Sequence, residues 1–145
     1  MAVELTLEVV RVPVSDVEVA KKFYAEGCGF AVDVDQEVSP GVRVVQLTPP
    51  GSRCSIALMS GFPEAPGQTS MAPGSLHGLQ LCVTDLAAAR EAMIGRGVAV
   101  TPVQTIGAAG WEEGFGGVWS SFCFFSDPDG NGWAVQEAPA PLSER

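Results

Sequence analysis

Apolar and polar residues alternate with a period of two near the start of the chain. Val10, Val12 and Val14 alternate with Val9, Arg11 and Pro13, which predicts a strand over Leu5–Val14. Pro13 cannot donate to a ladder, so the strand ends there or lies at an edge. Asp16 is placed to cap a helix over Val17–Glu26 that turns Val19, Phe23 and Tyr24 toward a core, and Gly27 and Gly29 end it. Strands follow at Phe30–Val34, Val42–Leu47 and Cys54–Met59, separated by Pro40-Gly41 and Pro49-Pro50-Gly51-Ser52. From Ser60 to Ser75 the composition shifts to Gly, Pro, Ser and Ala with little periodicity, as in a linker.

The pattern then returns. Leu79, Leu81, Val83 and Asp85 stand as Val10, Val12, Val14 and Asp16 stood. Asp85 caps a helix from Leu86 to about Arg96, Gly97 stops it, and strands are predicted at Val98–Val103, Phe122–Phe125 and Trp133–Gln136. Each half reads strand, helix, strand, strand, strand. The expected organisation is a single domain over 1–145: a first module at 1–59, a linker at 60–75, a second module at 76–138 and a tail at 139–145. The second half carries a longer insertion, 104–121, rich in glycine and bearing Trp111. Such a loop is either a lid over a ligand or a mobile surface excursion.

Between the last two predicted strands lies Asp127-Pro128-Asp129-Gly130-Asn131-Gly132, which reads as a tight hairpin turn. Asp127, Asp129 and Asn131 also match the first half of a calcium loop. That loop needs a glutamate at its twelfth position, where Ala138 stands.

Composition narrows the function. With 46% apolar residues, 17 Gly and 11 Pro, the chain suits a turn-rich globular fold. A net charge of −9 opposes binding to nucleic acid and to anionic membrane surfaces. No apolar run is long enough to span a bilayer, and the first residues lack the pattern of a secretory signal, so a cytoplasmic location is expected. Cys28, Cys54, Cys82 and Cys123 form no Cys-x-x-Cys pair and are expected as reduced, mostly apolar fillers.

The residues Val12-Pro13-Val14-Ser15-Asp16 with Phe23-Tyr24 and Gly29-Phe30, then Leu81-Cys82-Val83-Thr84-Asp85 with Gly97-Val98, then Asp127-Pro128-Asp129-Gly130-Asn131, resemble the vicinal oxygen chelate superfamily. This group contains glyoxalases, bleomycin-resistance proteins and extradiol dioxygenases. The resemblance implies an α+β fold in which two repeated βαβββ modules form a cup-shaped, barrel-like mixed sheet with the helices outside. It also implies a homodimer and a small-molecule ligand in the cup. Superfamily enzymes place His, Glu or Gln at four inward positions, two of them seven residues before the helix-capping Asp and two on the strands after each turn. Here those positions are Val9, Gly78, Ala57 and Ala134, none of which offers a side-chain ligand. No metal and no other cofactor is therefore expected.

With Val9 facing the cup, alternation adds Arg11, Pro13, Ser55, Met59, Gln80, Cys82 and Gln136 to that face. The opposite face takes Val10, Val12, Ile56, Leu58, Leu79, Leu81, Trp133 and Val135. The expected ligand-binding set is Val9, Arg11, Ala57, Met59, Gly78, Gln80, Trp111, Ala134 and Gln136, a mostly apolar lining with a few polar points. Arg11 cannot shed its charge, so it is expected to meet either a ligand oxyanion or a protein acid at the strand edge. The function expected is binding of a small aromatic or amphipathic molecule without the usual metal. One alternative is a metal-dependent lyase or dioxygenase using Glu8, His77 and Glu137. That needs a one-residue slip, which would turn Val10, Val12 and Val14 away from the helices. The other is a metal-independent isomerase that polarises a carbonyl through Arg11, Gln80 or Gln136.

Overall fold

In the computed structural model, which describes residues 2–145, the alternation of the sequence becomes two sheets. The first holds β1 (Val9–Arg11), β2 (Ala31–Ser39), β3 (Val42–Thr48) and β4 (Ser55–Ser60) in the order β1-β4-β3-β2. The second holds β5 (His77–Val83), β6 (Gln104–Gly107), β7 (Gly110–Glu113), β8 (Phe122–Ser126) and β9 (Gly132–Glu137) in the order β5-β9-β8-β6-β7. In each sheet the strand before the helix pairs in parallel with the last main strand, and the other pairs are antiparallel. The fold is α+β, and the repeat is real. Among the described residues no ladder joins the two sheets, so they stay open and do not close into one barrel.

Helices α1 (Val17–Lys22) and α2 (Leu86–Gly95) start where expected. The Asp16 and Asp85 carboxylates accept from the third amide beyond, Val19 N at 3.1 Å and Ala88 N at 3.0 Å. Helix α1 continues as a π-helical turn, Phe23–Gly27, which widens its end and seats Tyr24 in the core. Four other expectations are corrected. The first strand forms only at Val9–Arg11, because residues 2–7 find no partner strand in the chain. The second runs on to Ser39. The stretch 98–103 is not a strand, because Pro102 has no amide to give and the Thr101 hydroxyl takes the Phe124 amide at 3.0 Å. The insertion is also not a plain loop: β6 and β7 form a hairpin over Gln104–Glu113, and irregular chain covers only 114–121.

One apolar core serves both modules. Val12, Val45, Leu47, Ile56 and Leu58 of the first sheet meet Cys123, Phe125, Trp133 and Val135 of the second, with Tyr24 and Phe30 between them. Phe30 and Trp133 touch edge to face at 5.8 Å, and Tyr24 stacks on Phe30 at 5.7 Å. Burial of a Leu or Val side chain here contributes roughly 1.5–3 kcal/mol.

The Asp127 turn adds a polar clasp to this core. Tyr24 donates its hydroxyl to Asp127 Oδ2 at 2.7 Å, and Trp133 Nε1 donates to the Tyr24 oxygen at 3.0 Å. The amides of Asp129 and Asn131 donate to Asp127 Oδ1, and Asn131 Nδ2 donates to Asp127 Oδ2 and to the Pro13 carbonyl. Asp129 accepts from the Ser15 amide and hydroxyl. The turn thus spends its oxygens on protein donors and ties the second module to the first. Burial, reinforced by the Asp127 carboxylate, pushes the Tyr24 hydroxyl far above its usual titration range. The linker passes this turn closely enough that Gly74, at φ +81°, could carry no side chain: a Cβ there would meet the Asp129 carbonyl oxygen at 2.1 Å.

Candidate functional site

The face of each sheet turned away from the core is the cup face. On β3 and β4, Val45, Leu47, Ile56 and Leu58 point into the core, which leaves Val44, Gln46, Thr48, Ser55, Ala57 and Met59 on the cup side. On β1 the exposed residues Val9 and Arg11 share that side, in register with Ser55 and Ala57. On the second sheet it carries Gln80 and Cys82 of β5, Ala134 and Gln136 of β9, and Phe122 and Phe124 of β8.

A cavity of about 540 Å³ opens on the second sheet, lined among others by His77, Gly78, Thr101, Phe124 and Ala134. Beside it three aromatic rings meet. Trp111, on the insertion hairpin, stands edge-on to Phe122 and Phe124 at 5.4 and 5.2 Å, and those two rings lie parallel at 6.3 Å. Trp111 is half exposed, so the cluster is a surface and not core. Phe122 and Phe124 were missed in the sequence because the run Phe122-Cys123-Phe124-Phe125 is apolar throughout and hides its own alternation. Pairing of Phe124 with Ala134 and of Phe122 with Gln136 assigns their face.

The polar points differ in how free they are. Gln80 Nε2 donates to Gln136 Oε1 at 2.6 Å, and Gln136 Nε2 donates to the Trp119 carbonyl at 2.7 Å. Trp119 holds φ at +66°, unusual for a residue with a side chain, and the Arg145 guanidinium lies 5.1 Å over its ring. The two glutamines therefore brace the base of the insertion more than they offer donors. Arg11 has no acidic partner among the described residues. Its guanidinium lies 5.9 Å from the Phe62 ring centroid and is otherwise open to the cup side.

At the four family metal positions the backbone carries Val9, Ala57, Gly78 and Ala134 on the cup side. Gly78 adopts φ +95°, a conformation that disfavours any ligand-bearing side chain. A register shift between His77 and Leu79 accompanies it. This bulge settles the slip locally. Leu79 and Leu81 keep packing on the core, while His77 reaches the cavity, its Nδ1 2.7 Å from where a Cβ on Gly132 would stand. The isolated glycine inside an alternating strand was the available signal. The displaced set of Glu8, His77 and Glu137 is not brought together. Glu137 Oε2 instead accepts from the Leu86 amide at 3.0 Å, capping α2, and Glu8 accepts from Thr6. No group of three or more His, Cys, Asp or Glu among the described residues is arranged to hold a metal.

All four cysteines are free. Burial pushes the Cys28 thiol up to about 12 and raises that of Cys123, so both behave as apolar filler. Cys82 is exposed on the cup face, with its sulfur 3.6 Å from Gln136 Oε1. No helix among the described residues is long and apolar enough to cross a membrane.

Comparison with known proteins places this geometry in a family. The model of the Glyoxalase/Bleomycin resistance protein/Dioxygenase superfamily matches residues 6–135. Among solved structures, TnmS3, an antibiotic binding protein from Streptomyces sp. CB03234, is 34% identical with a TM-score of 0.72, covering 95% of this chain and 98% of that one. A glyoxalase/bleomycin resistance protein from the same organism is 35% identical with a TM-score of 0.69, covering 91% and 100%. A superfamily member from Sphaerobacter thermophilus DSM 20745 is 29% identical with a TM-score of 0.67, covering 92% and 98%. No curated protein sequence matches. The chain belongs to the glyoxalase/bleomycin resistance protein/dioxygenase superfamily.

Proposed function

We propose that the protein binds a small planar aromatic molecule on its cup face, without a metal at the family's four ligand positions. The observation that carries this reading is the exposed ring cluster of Trp111, Phe122 and Phe124 beside the cavity. Exposed aromatic faces at the mouth of a recess suit a flat ligand, which gains area burial and edge or face contact together. Val9, Ala57, Gly78 and Ala134 supply no donors, and the positive φ of Gly78, which disfavours any side chain there, supports a site built for shape and not for chelation. The similarity to an antibiotic binding protein points the same way. Arg11, unpaired, orients a ligand carbonyl, phenolate or carboxylate.

A second copy of the chain completes the site. Val3, Leu5 and Leu7 are 79%, 89% and 73% exposed and alternate with Glu4, Thr6 and Glu8, a strand pattern with no partner in the chain. Together with the open cup faces this supports a homodimer in which each cup is closed by its partner.

The test is a tryptophan-fluorescence titration with polycyclic aromatic antibiotics, paired with elemental analysis of the purified protein. Saturable quenching at micromolar ligand without stoichiometric metal is the expected result. Stoichiometric zinc, nickel, iron or manganese that is needed for binding overturns the metal-free reading. Conversion of a bound ligand to product would favour the isomerase reading through Arg11, since Gln80 and Gln136 are engaged with each other.

A further inference from the structure

The cavity on the second sheet holds one side chain that apolar packing does not need. His77 has the parity of Leu79 and Leu81, which pack on the core, so plain alternation would turn it inward. The bulge at Gly78 turns it to the cup side instead, where it lines the cavity. There the imidazole lies against the backbone of its ladder partner Gly132. A Cβ on Gly132 would stand 2.7 Å from His77 Nδ1 and displace the ring. Gly132 is not among the glycines at positive φ, so what a glycine supplies there is clearance for the imidazole. Two glycines, one at a bulge and one on the next strand, thus seat a single polar side chain on the cavity floor.

The polar groups around it are engaged with each other. The Gly132 amide donates to the Leu76 carbonyl at 2.9 Å, and the Leu76 amide donates to Asn131 Oδ1 at 3.1 Å. Thr101, on the cavity wall, donates its hydroxyl to the Pro102 carbonyl and accepts from the Phe124 amide. Neither imidazole nitrogen has a hydrogen-bond partner among the described residues. A neutral imidazole offers one donor and one acceptor nitrogen. No Asp, Glu, Lys or Arg among the described residues lines the cavity, so nothing there matches a charge on the ligand.

The rest of the floor suits a flat ring system. Ala134 lies two residues along β9 from Gly132, about 7 Å away. Phe124 pairs with Ala134 across the sheet and meets Trp111 edge to face. A ring system lying on Ala134 against Phe124 brings its edge to the His77 imidazole.

We infer that His77 is a specificity-determining residue that hydrogen-bonds a neutral hydroxyl on the edge of the aromatic ligand. The ligand class is a phenol of two or more fused rings. This assignment rests on the aromatic-binding reading and adds to it the group that is recognised. An ether at the same edge cannot donate, and it leaves the acceptor nitrogen of the imidazole without a partner once water is excluded.

The test uses a matched pair of probes, 2-naphthol and 2-methoxynaphthalene, in equilibrium dialysis against the full-length protein. The expected result is a preference of about fivefold for the naphthol, as for one neutral hydrogen bond. The ratio falls to near one in His77→Phe, which keeps a ring and loses both nitrogens, and it is largely kept in His77→Gln, which retains a donor and an acceptor. His77 is exposed, so both variants keep the core, and an unaltered circular dichroism spectrum checks this. His77 is also the one histidine of the chain, so its imidazole resonances in untagged protein need no assignment, and they shift on saturation with 2-naphthol. Equal binding of the two probes, a preference that survives His77→Phe, or imidazole resonances unmoved by bound naphthol overturns the assignment and leaves the aromatic-binding reading standing. Failure of both probes to bind up to their solubility overturns both.

Discussion

On the first sheet the cup face presents Arg11, Gln46, Thr48, Ser55 and the Asp33 carboxylate. On the second, the corresponding surface presents Trp111, Phe122 and Phe124. The core faces of the two sheets differ much less: Val45, Leu47, Ile56 and Leu58 answer Cys123, Phe125, Trp133 and Val135. A shared core constrains both repeats to the same apolar alternation, since one polar group there would cost its desolvation. The cup faces carry no such constraint and can specialise, one for polarity, the other for flat apolar area. The clasp is also one-sided. The Asp127 turn of the second module reaches Tyr24, Pro13 and Ser15 of the first, whereas the equivalent Pro49–Ser52 turn closes only on itself, through the Ser52 amide and the Pro49 carbonyl.

The largest effect expected is the loss of that clasp. Asp127→Ala strands the Tyr24 hydroxyl, the Asn131 amide and the Asp129 amide at once. A cost of roughly 3–5 kcal/mol is expected in urea denaturation, against about 1 kcal/mol for Asp129→Ala, whose partners are exposed. Equal effects would mean the turn is a surface feature and the modules are held by apolar contact alone.

Trp111→Ala then sharpens the division of labour. Affinity for a polycyclic aromatic ligand falls about tenfold, with folding stability little changed because the ring is half exposed. Met59→Ala on the first sheet changes it by about twofold. If Met59 matters as much as Trp111, the two faces are not specialised as described.

Thiol labelling gives a smaller, local readout. Iodoacetamide at pH 8 modifies Cys82, while Cys28, pushed up to about 12, and buried Cys123 resist until unfolding. A bound aromatic ligand slows Cys82 labelling severalfold, because the thiol shares the cup face with Gln80 and Gln136. Unchanged labelling at saturating ligand would place the ligand elsewhere.

The repeat, both helix caps and the core faces were legible because each follows from local chemistry: alternation, an Asp before a helix, a glycine after it. The cup was legible only where alternation runs undisturbed. Val9, Arg11, Ala57, Met59, Gln80, Ala134 and Gln136 fall on the expected side, but two bulges re-aim residues that simple alternation cannot follow. One turns His77 to the cavity through Gly78, and the other turns Asp33 to the cup through the Val32–Val34 shift. Phe122 and Phe124 were hidden by an apolar run whose face is fixed only by its partner strand. The expected strand at 98–103 failed because its pairing with β8 stops at one backbone bond, Thr101 N to the Phe124 carbonyl: the Phe124 amide donates to the Thr101 hydroxyl, and Pro102 has no amide.

The smallest effect tests whether the outer face of the first sheet matters at all. Asp35 on β2 pairs with Lys21 at 2.7 Å and with Arg43 at 2.9 Å, and Arg43 also reaches Glu18 at 3.2 Å. The Arg43 and Lys21 hydrogen bonds hold the Asp35 carboxyl well below the usual carboxylate range. A carboxyl depressed on folding contributes stability that is present above its unfolded value, near pH 4, and lost as pH falls through the folded value. The network is partly exposed and screened, so Asp35→Asn should cost about 0.2–1 kcal/mol at pH 7. The difference from the parent should shrink as pH drops below about 4, and also in molar salt. A difference that does not shrink at all between pH 4 and pH 2 would mean that Asp35 acts through packing against α1 and not through charge. The polar character of the first sheet would then be confined to its cup face.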